Sequence, residues 1–337
     1  MSNKHLLILT ISIFCSCSNN SETEKYQSDR NNVINVKDKL VQFNSDDIFI
    51  GSISSLFITD DYLIIVDHKT VDHYLHFFDK KNFTYITGVI TRGQGPGEIA
   101  NIGYIETNNT EREIYVSDHG KQKIFSFKID SLLADPLYMP TDKMILNITQ
   151  FPNHYKYIND TLSMGVMIEP TGNSGFNHSV AKFNFKTGEI KTMPYKHPDI
   201  DKKRVCFAIS IKHGIYIECY HYQDLMTILD IDGNLKYNIY GREIKNETRN
   251  TLGFYSKVVF CNDKILTLYR DGKEQYSNAE RGFPTQFLIF NLNGDYIQTI
   301  ETGYSILDFC YDEDNNRIIM NLDEEIQFAY LNLAGII

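Results

Sequence analysis

The chain lacks most of the signatures that would name a reaction. It has no tryptophan, eight prolines among 337 residues and six cysteines. None of the cysteines forms a Cys-x-x-Cys pair, which argues against a local zinc site. No Gly-Lys-Ser/Thr follows a glycine-rich turn, and no Gly-x-Ser-x-Gly elbow is present, so neither a Walker loop nor a hydrolase nucleophile is indicated. EF-hand spacing is missing. Positive charge is also in deficit. With 33 Lys and Arg against 43 Asp and Glu, the formal net charge is −10. A general nucleic-acid binder needs a basic footprint, and this chain has none. Beyond the first twenty residues no long helical period appears.

What is present is strand chemistry. Aromatics make up 13% of the chain, carried by 22 Tyr and 21 Phe, and hydrophobic residues make up 42%. A supply rich in Tyr, Phe and Ile favours pleated, half-buried strands. An all-β protein with a substantial core is expected.

The N-terminus reads as an address. A lysine, a short apolar stretch from Leu6 to Phe14 and a small residue before a cysteine make a secretory signal. The apolar stretch is too short to span a bilayer. Ser16 before Cys17 resembles a bacterial lipobox, giving a signal peptide over 1–16 and a lipid on the Cys17 thiol. Residues 17–32 are polar and nearly free of aliphatics, and are expected to form a lipidated flexible tether. The expected location is the bacterial cell envelope, lipid-anchored to the outer membrane on its periplasmic or surface face. Cys206, Cys219, Cys261 and Cys310 remain. An exported chain can form disulfides, but Cys206, Cys261 and Cys310 lie in apolar runs, and buried free thiols are the favoured reading.

After residue 35 the chain repeats. An apolar residue followed by Asp or Asn closes a strand at Phe78-Asp79, Ile129-Asp130, Phe183-Asn184, Leu229-Asp230, Phe290-Asn291 and Leu331-Asn332. Turn chemistry follows several of them, as in Asp232-Gly233-Asn234 and Asn293-Gly294-Asp295. Each unit contains three or four short strands. Six such units predict a six-bladed β-propeller over 33–337. The last unit has only three strands before Ile337, so Val33–Phe43 is expected to supply the missing one and close the ring.

In this phase Thr91–Glu98 is a crossing loop from the outer strand of the first unit to the inner strand of the second. Gly93, Gly95 and Gly97 give it shape, and Pro96 fixes one φ. Arg92 and Glu98 are expected to latch it, and the loop Arg92–Glu98 is placed near a channel mouth. The run Arg92-Gly93-Gln94-Gly95-Pro96-Gly97-Glu98 resembles the R-G-x-G-P-G-E-[F/L] signature of TolB-like six-bladed β-propeller lipoproteins of Bacteroidetes, with Ile99 where Phe or Leu is more usual. The resemblance implies a fold and an envelope location, and no reaction.

Asp67, His68, Asp72, His73 and His76 are the densest set of metal-ligand types. Their spacing brings no three together locally, and Asp118-His119 recurs at the matching place in the second unit, which favours an architectural role. No metal or cofactor is assigned. The expected function is a binding or scaffold module for an envelope protein, peptide or glycan at the channel mouth. The alternative is a metal-dependent hydrolase or lyase there, which requires His, Asp or Glu converging from at least three blades. The catalytic residues of such an enzyme are not legible.

Overall fold

A computed structural model describes residues 22–45, 48–172, 175–242, 253–270 and 282–337. The expected signal peptide over 1–16 and the expected lipidation site Cys17 lie outside the described residues. No described helix is long and apolar enough to cross a membrane.

Six sheets, each built on four antiparallel strands, surround a central channel. Their innermost strands are Ser54–Ile58, Ile102–Asn108, Phe151–Tyr157, Val205–Ser210, Tyr255–Cys261 and Ile306–Asp312, one per blade in chain order. The first two blades end in outer strands Tyr85–Thr91 and Thr141–Ile145. Among the described residues, one short α-helix, Ile129–Ala134, and one 3₁₀ turn interrupt the β-structure. The core lies between neighbouring blades. Ile64 and Phe77 of blade one pack with Ile105 and Val116 of blade two, and Leu266 and Phe287 of blade five with Phe309 and Ile318 of blade six.

The repeated Asp or Asn has a local cause. Asp79, Asn184, Asp230, Asn291 and Asn332 each accept a backbone N–H from two residues further on, at 2.8–2.9 Å. Each side chain thus builds an Asx turn at the end of its blade's third strand. The exception is Asp130, whose carboxylate is held by Arg112, and there the chain enters the short helix instead.

The ring closes through the N-terminal segment, with narrower bounds than the sequence implies. Only Val41–Phe43 joins blade six, antiparallel to Phe328–Asn332. Val33–Asn35 instead adds a fifth, parallel strand to blade five, on Tyr296–Glu301. Glu24–Tyr26 does the same on Leu235–Tyr240 of blade four. The expected free tether over 17–32 is therefore docked from Glu24 onward, and its polar side chains do not prevent this because an edge strand pairs through its backbone. Arg30 anchors the segment. Its guanidinium is buried and donates to Asp224 at 2.9 Å, and Asp224 also accepts from the hydroxyls of Tyr255 at 2.8 Å and Tyr269 at 2.7 Å.

Strand direction defines two faces. The crossing face carries the segments that run from one blade's outer strand to the next inner strand. The hairpin face carries the turns joining first to second and third to fourth strands.

Candidate functional site

The inner strands place one side chain per blade around the channel. Phe57 meets Tyr104 edge-on at 5.4 Å between ring centroids, Tyr104 meets His154 at 4.5 Å, and His154 faces Phe207 at 6.4 Å. Lys257 and Asp308 complete the girdle with an ion pair at 2.7 Å. The second Asp308 oxygen accepts the Leu56 N–H at 2.7 Å, which ties blade six to blade one. The Lys257 ammonium also stands 5.9 Å from the Phe57 ring and 5.6 Å from the Phe309 ring.

From this girdle a cavity of about 420 Å³ opens toward the hairpin face. Asp60, Asn109, Glu313 and Asp314 form its rim. Its charges are largely matched. Lys156 pairs with buried Glu106 at 2.7 Å, and Lys80 with Asp314 at 2.5 Å. Burial pushes the Glu106 carboxyl up, with Lys156 opposing. Burial also raises the Tyr104 phenol well above its ordinary value, helped by the nearby Glu106 carboxylate, so it remains a donor. His154 is pushed down to about 3 by burial and by Lys257 and Lys156, so its imidazole is neutral near pH 7. The result is an aromatic-walled, polar-rimmed pocket of a size that suits a small ligand or one unit of a chain.

The glycine-rich loop has a different job. Glu98 folds back over Arg92–Gly97 and accepts the Gly95 N–H at 2.6 Å. A Cβ on Gly93 would lie 2.0 Å from Glu98 Oε2, and one on Gly95 2.9 Å from it, so both positions must be glycine for the carboxylate to seat. Gly97 has φ +75°, the left-handed region that favours glycine. The second latch is Lys121, whose ammonium donates to the carbonyls of Gly95 and Glu98 at 2.7 and 2.8 Å. Arg92 does not meet Glu98. It reaches back to the Thr70 carbonyl in blade one at 3.2 Å. Pro96 is exposed. The loop lies on the crossing face, and none of Arg92–Glu98 lines the hairpin-face cavity.

The acidic and histidine cluster disperses. Asp67 accepts the Gly51 and Lys69 N–H groups at 2.9 Å each, and Asp118 accepts those of Ala100 at 2.8 Å and Asn101 at 3.0 Å. In both blades this Asp pins the segment entering the inner strand. His68 bonds Ser55, His73 meets Asp72, and His76 is buried apart. Among the described residues no group of three or more His, Cys, Asp or Glu could hold a metal ion. The four described cysteines are free thiols, with Cys219, Cys261 and Cys310 buried.

The girdle residues escaped the sequence reading. Lys257 and Asp308 carried a usable signal, as charges within otherwise apolar strands. Phe57, Tyr104 and Phe207 are ordinary strand aromatics until the six inner strands are aligned.

Fold and site together define a six-bladed propeller with a ligand-sized channel cavity. The chain belongs to the DUF5128 family, described as a 6-bladed beta-propeller, whose model matches residues 43–230. A DUF4221 protein of Bacteroides vulgatus is similar in structure, with 10% identity, a TM-score of 0.63, and coverage of 87% of this chain and 97% of its own. A Bacteroides fragilis protein described as exported shares 10% identity at TM-score 0.57, over 92% and 98%. The calcium-binding protein regucalcin of Agrobacterium tumefaciens shares 8% identity at TM-score 0.55, over 89% and 95%. At these identities the likeness is one of fold. No curated protein sequence matches the chain.

Proposed function

We propose that this protein is a TolB-like propeller lipoprotein of the bacterial cell envelope. In this reading it is cleaved before Cys17 and held by lipid at the outer membrane, on the periplasmic or surface face. It acts as a binding or scaffold module that takes an envelope protein, peptide or glycan into the hairpin-face cavity. The observation that carries the binding role is the girdle itself: all six blades contribute to one aromatic-walled cavity, and its lysines meet carboxylates. Unpaired buried charge is costly, so the cavity suits a ligand with apolar faces and hydrogen-bonding edges. The Bacteroides neighbour described as exported and the Ser16-Cys17 pattern support the envelope location. A metal-dependent hydrolase or lyase finds no carrying observation, because no ligand set converges at the mouth among the described residues.

Two measurements test the reading. Metabolic labelling with a radiolabelled fatty acid should mark the wild type and not Cys17→Ser, and labelling that persists in Cys17→Ser removes the proposed anchor. Fractionated envelope peptides and glycans should raise the melting temperature of the propeller, and Tyr104→Ala should abolish the shift. A shift that survives Tyr104→Ala places binding elsewhere.

A further inference from the structure

A second cavity, about 460 Å³, opens on the crossing face between blades three, four and five. In a chain with a net charge of −10, no Asp or Glu lines it among the described residues. It contains Arg204, His178 and His221, together with Phe176, Tyr222 and Ser256.

Arg204 is held ready and left unspent. Its guanidinium lies 3.7 Å from the centroid of the Phe176 ring. Buried Nη1 has no hydrogen-bond partner, and among the described residues the Arg204 side chain joins no ion pair. His178 stacks on the same Phe176 ring, with centroids 5.2 Å apart, and both its ring nitrogens are buried without partners. His221 is fixed differently: its Nδ1 donates to the Tyr255 carbonyl at 2.9 Å. Buried polar groups normally find partners, and each orphan needs an explanation. Two nitrogen-bearing side chains with orphaned atoms contact one aromatic ring, and among the described residues no carboxylate lines the wall, which calls for an acceptor that carries negative charge.

We infer that this crossing-face cavity is an oxyanion site, taking a carboxylate or phosphate group, with Arg204 as the charged donor and His178 as a neutral N–H donor. Arginine presents a planar fork that matches either group, and stacking on Phe176 orients the fork before a ligand arrives. Burial, Arg204 and His221 together hold the His178 imidazole down at about 4, so near pH 7 it donates one N–H and adds no charge of its own. The site is separate from the hairpin-face cavity and does not depend on its assignment.

Calorimetric titration of the intact propeller with inorganic phosphate and with D-glucuronate tests this, with neutral D-glucose as the control. Saturable binding of at least one anion and none of glucose is expected. Phosphate alone, or glucuronate alone, would identify which oxyanion source the site takes. Arg204→Gln should weaken binding about tenfold or more, Arg204→Lys should retain part of it, and Lys236→Ala on the fourth strand of blade four should leave it unchanged. Near-UV circular dichroism matching the wild type confirms that the variants are folded. Saturable binding of neither anion overturns the inference, and so does equal affinity in Arg204→Gln.

Discussion

Gly93 and Glu98 show how a short motif can specify a fold without specifying chemistry. The glycine is required because a carboxylate occupies the space where its Cβ would stand, at 2.0 Å. Gly93→Ala should therefore cost about 1–3 kcal/mol in urea unfolding. In a Glu98→Ala background the same change should cost much less, since the obstacle is gone. Equal costs in both backgrounds would mean that the loop is not latched by Glu98. His154 allows a second test at this scale. Its imidazole sits near 3 in the folded protein and near 6.5 when unfolded. Between those values the unfolded chain binds more protons, so stability falls on acidification through that window, by at most about 1.4 kcal/mol per pH unit from this side chain. His154→Phe should remove that part of the slope between pH 6.5 and pH 4, and an unchanged slope would show that the ring is already free to protonate. The loop was legible at this scale because its seven residues are contiguous. The girdle was not, because its members lie about fifty residues apart and meet only through the ring.

At the scale of elements, the repeat was readable because Asx turns at Asp79, Asn184, Asp230, Asn291 and Asn332 recur with a physical cause in each blade. Ile129-Asp130 looked the same in sequence, but there the carboxylate pairs with Arg112 and the chain runs on as a short helix. The N-terminal segment was misread for a related reason. Composition reports what side chains prefer, while Glu24–Tyr26 and Val33–Asn35 are held by backbone pairing to strands more than two hundred residues away. Arg30 and Asp224 lock that strap between blades four and five. Asp224→Ala leaves a buried guanidinium and two tyrosine hydroxyls without their acceptor, and should cost about 3–5 kcal/mol by urea unfolding. Arg30→Ala combined with it should add little further. A loss below about 1 kcal/mol would make the strap a passive passenger on a ring that is stable without it.

For the whole molecule, the propeller separates two jobs by face. Crossing loops such as Arg92–Glu98, with Asp67 and Asp118 beneath them, join the blades. The hairpin face carries the channel cavity, walled by side chains from all six blades. Fold and repeat number could be read from the sequence, and the face bearing the channel cavity could not, since that depends on which inner-strand ends leave space in the channel. The most direct measurement places a photo-crosslinking residue at Glu313, on the cavity rim, and separately at Lys236, exposed on the fourth strand of blade four, in cells that make the protein. A discrete crosslinked adduct from Glu313 that disappears in Tyr104→Ala, with none from Lys236, is the predicted result. Adducts of equal yield from both positions, or a Glu313 adduct indifferent to Tyr104→Ala, would contradict a binding role for the channel mouth.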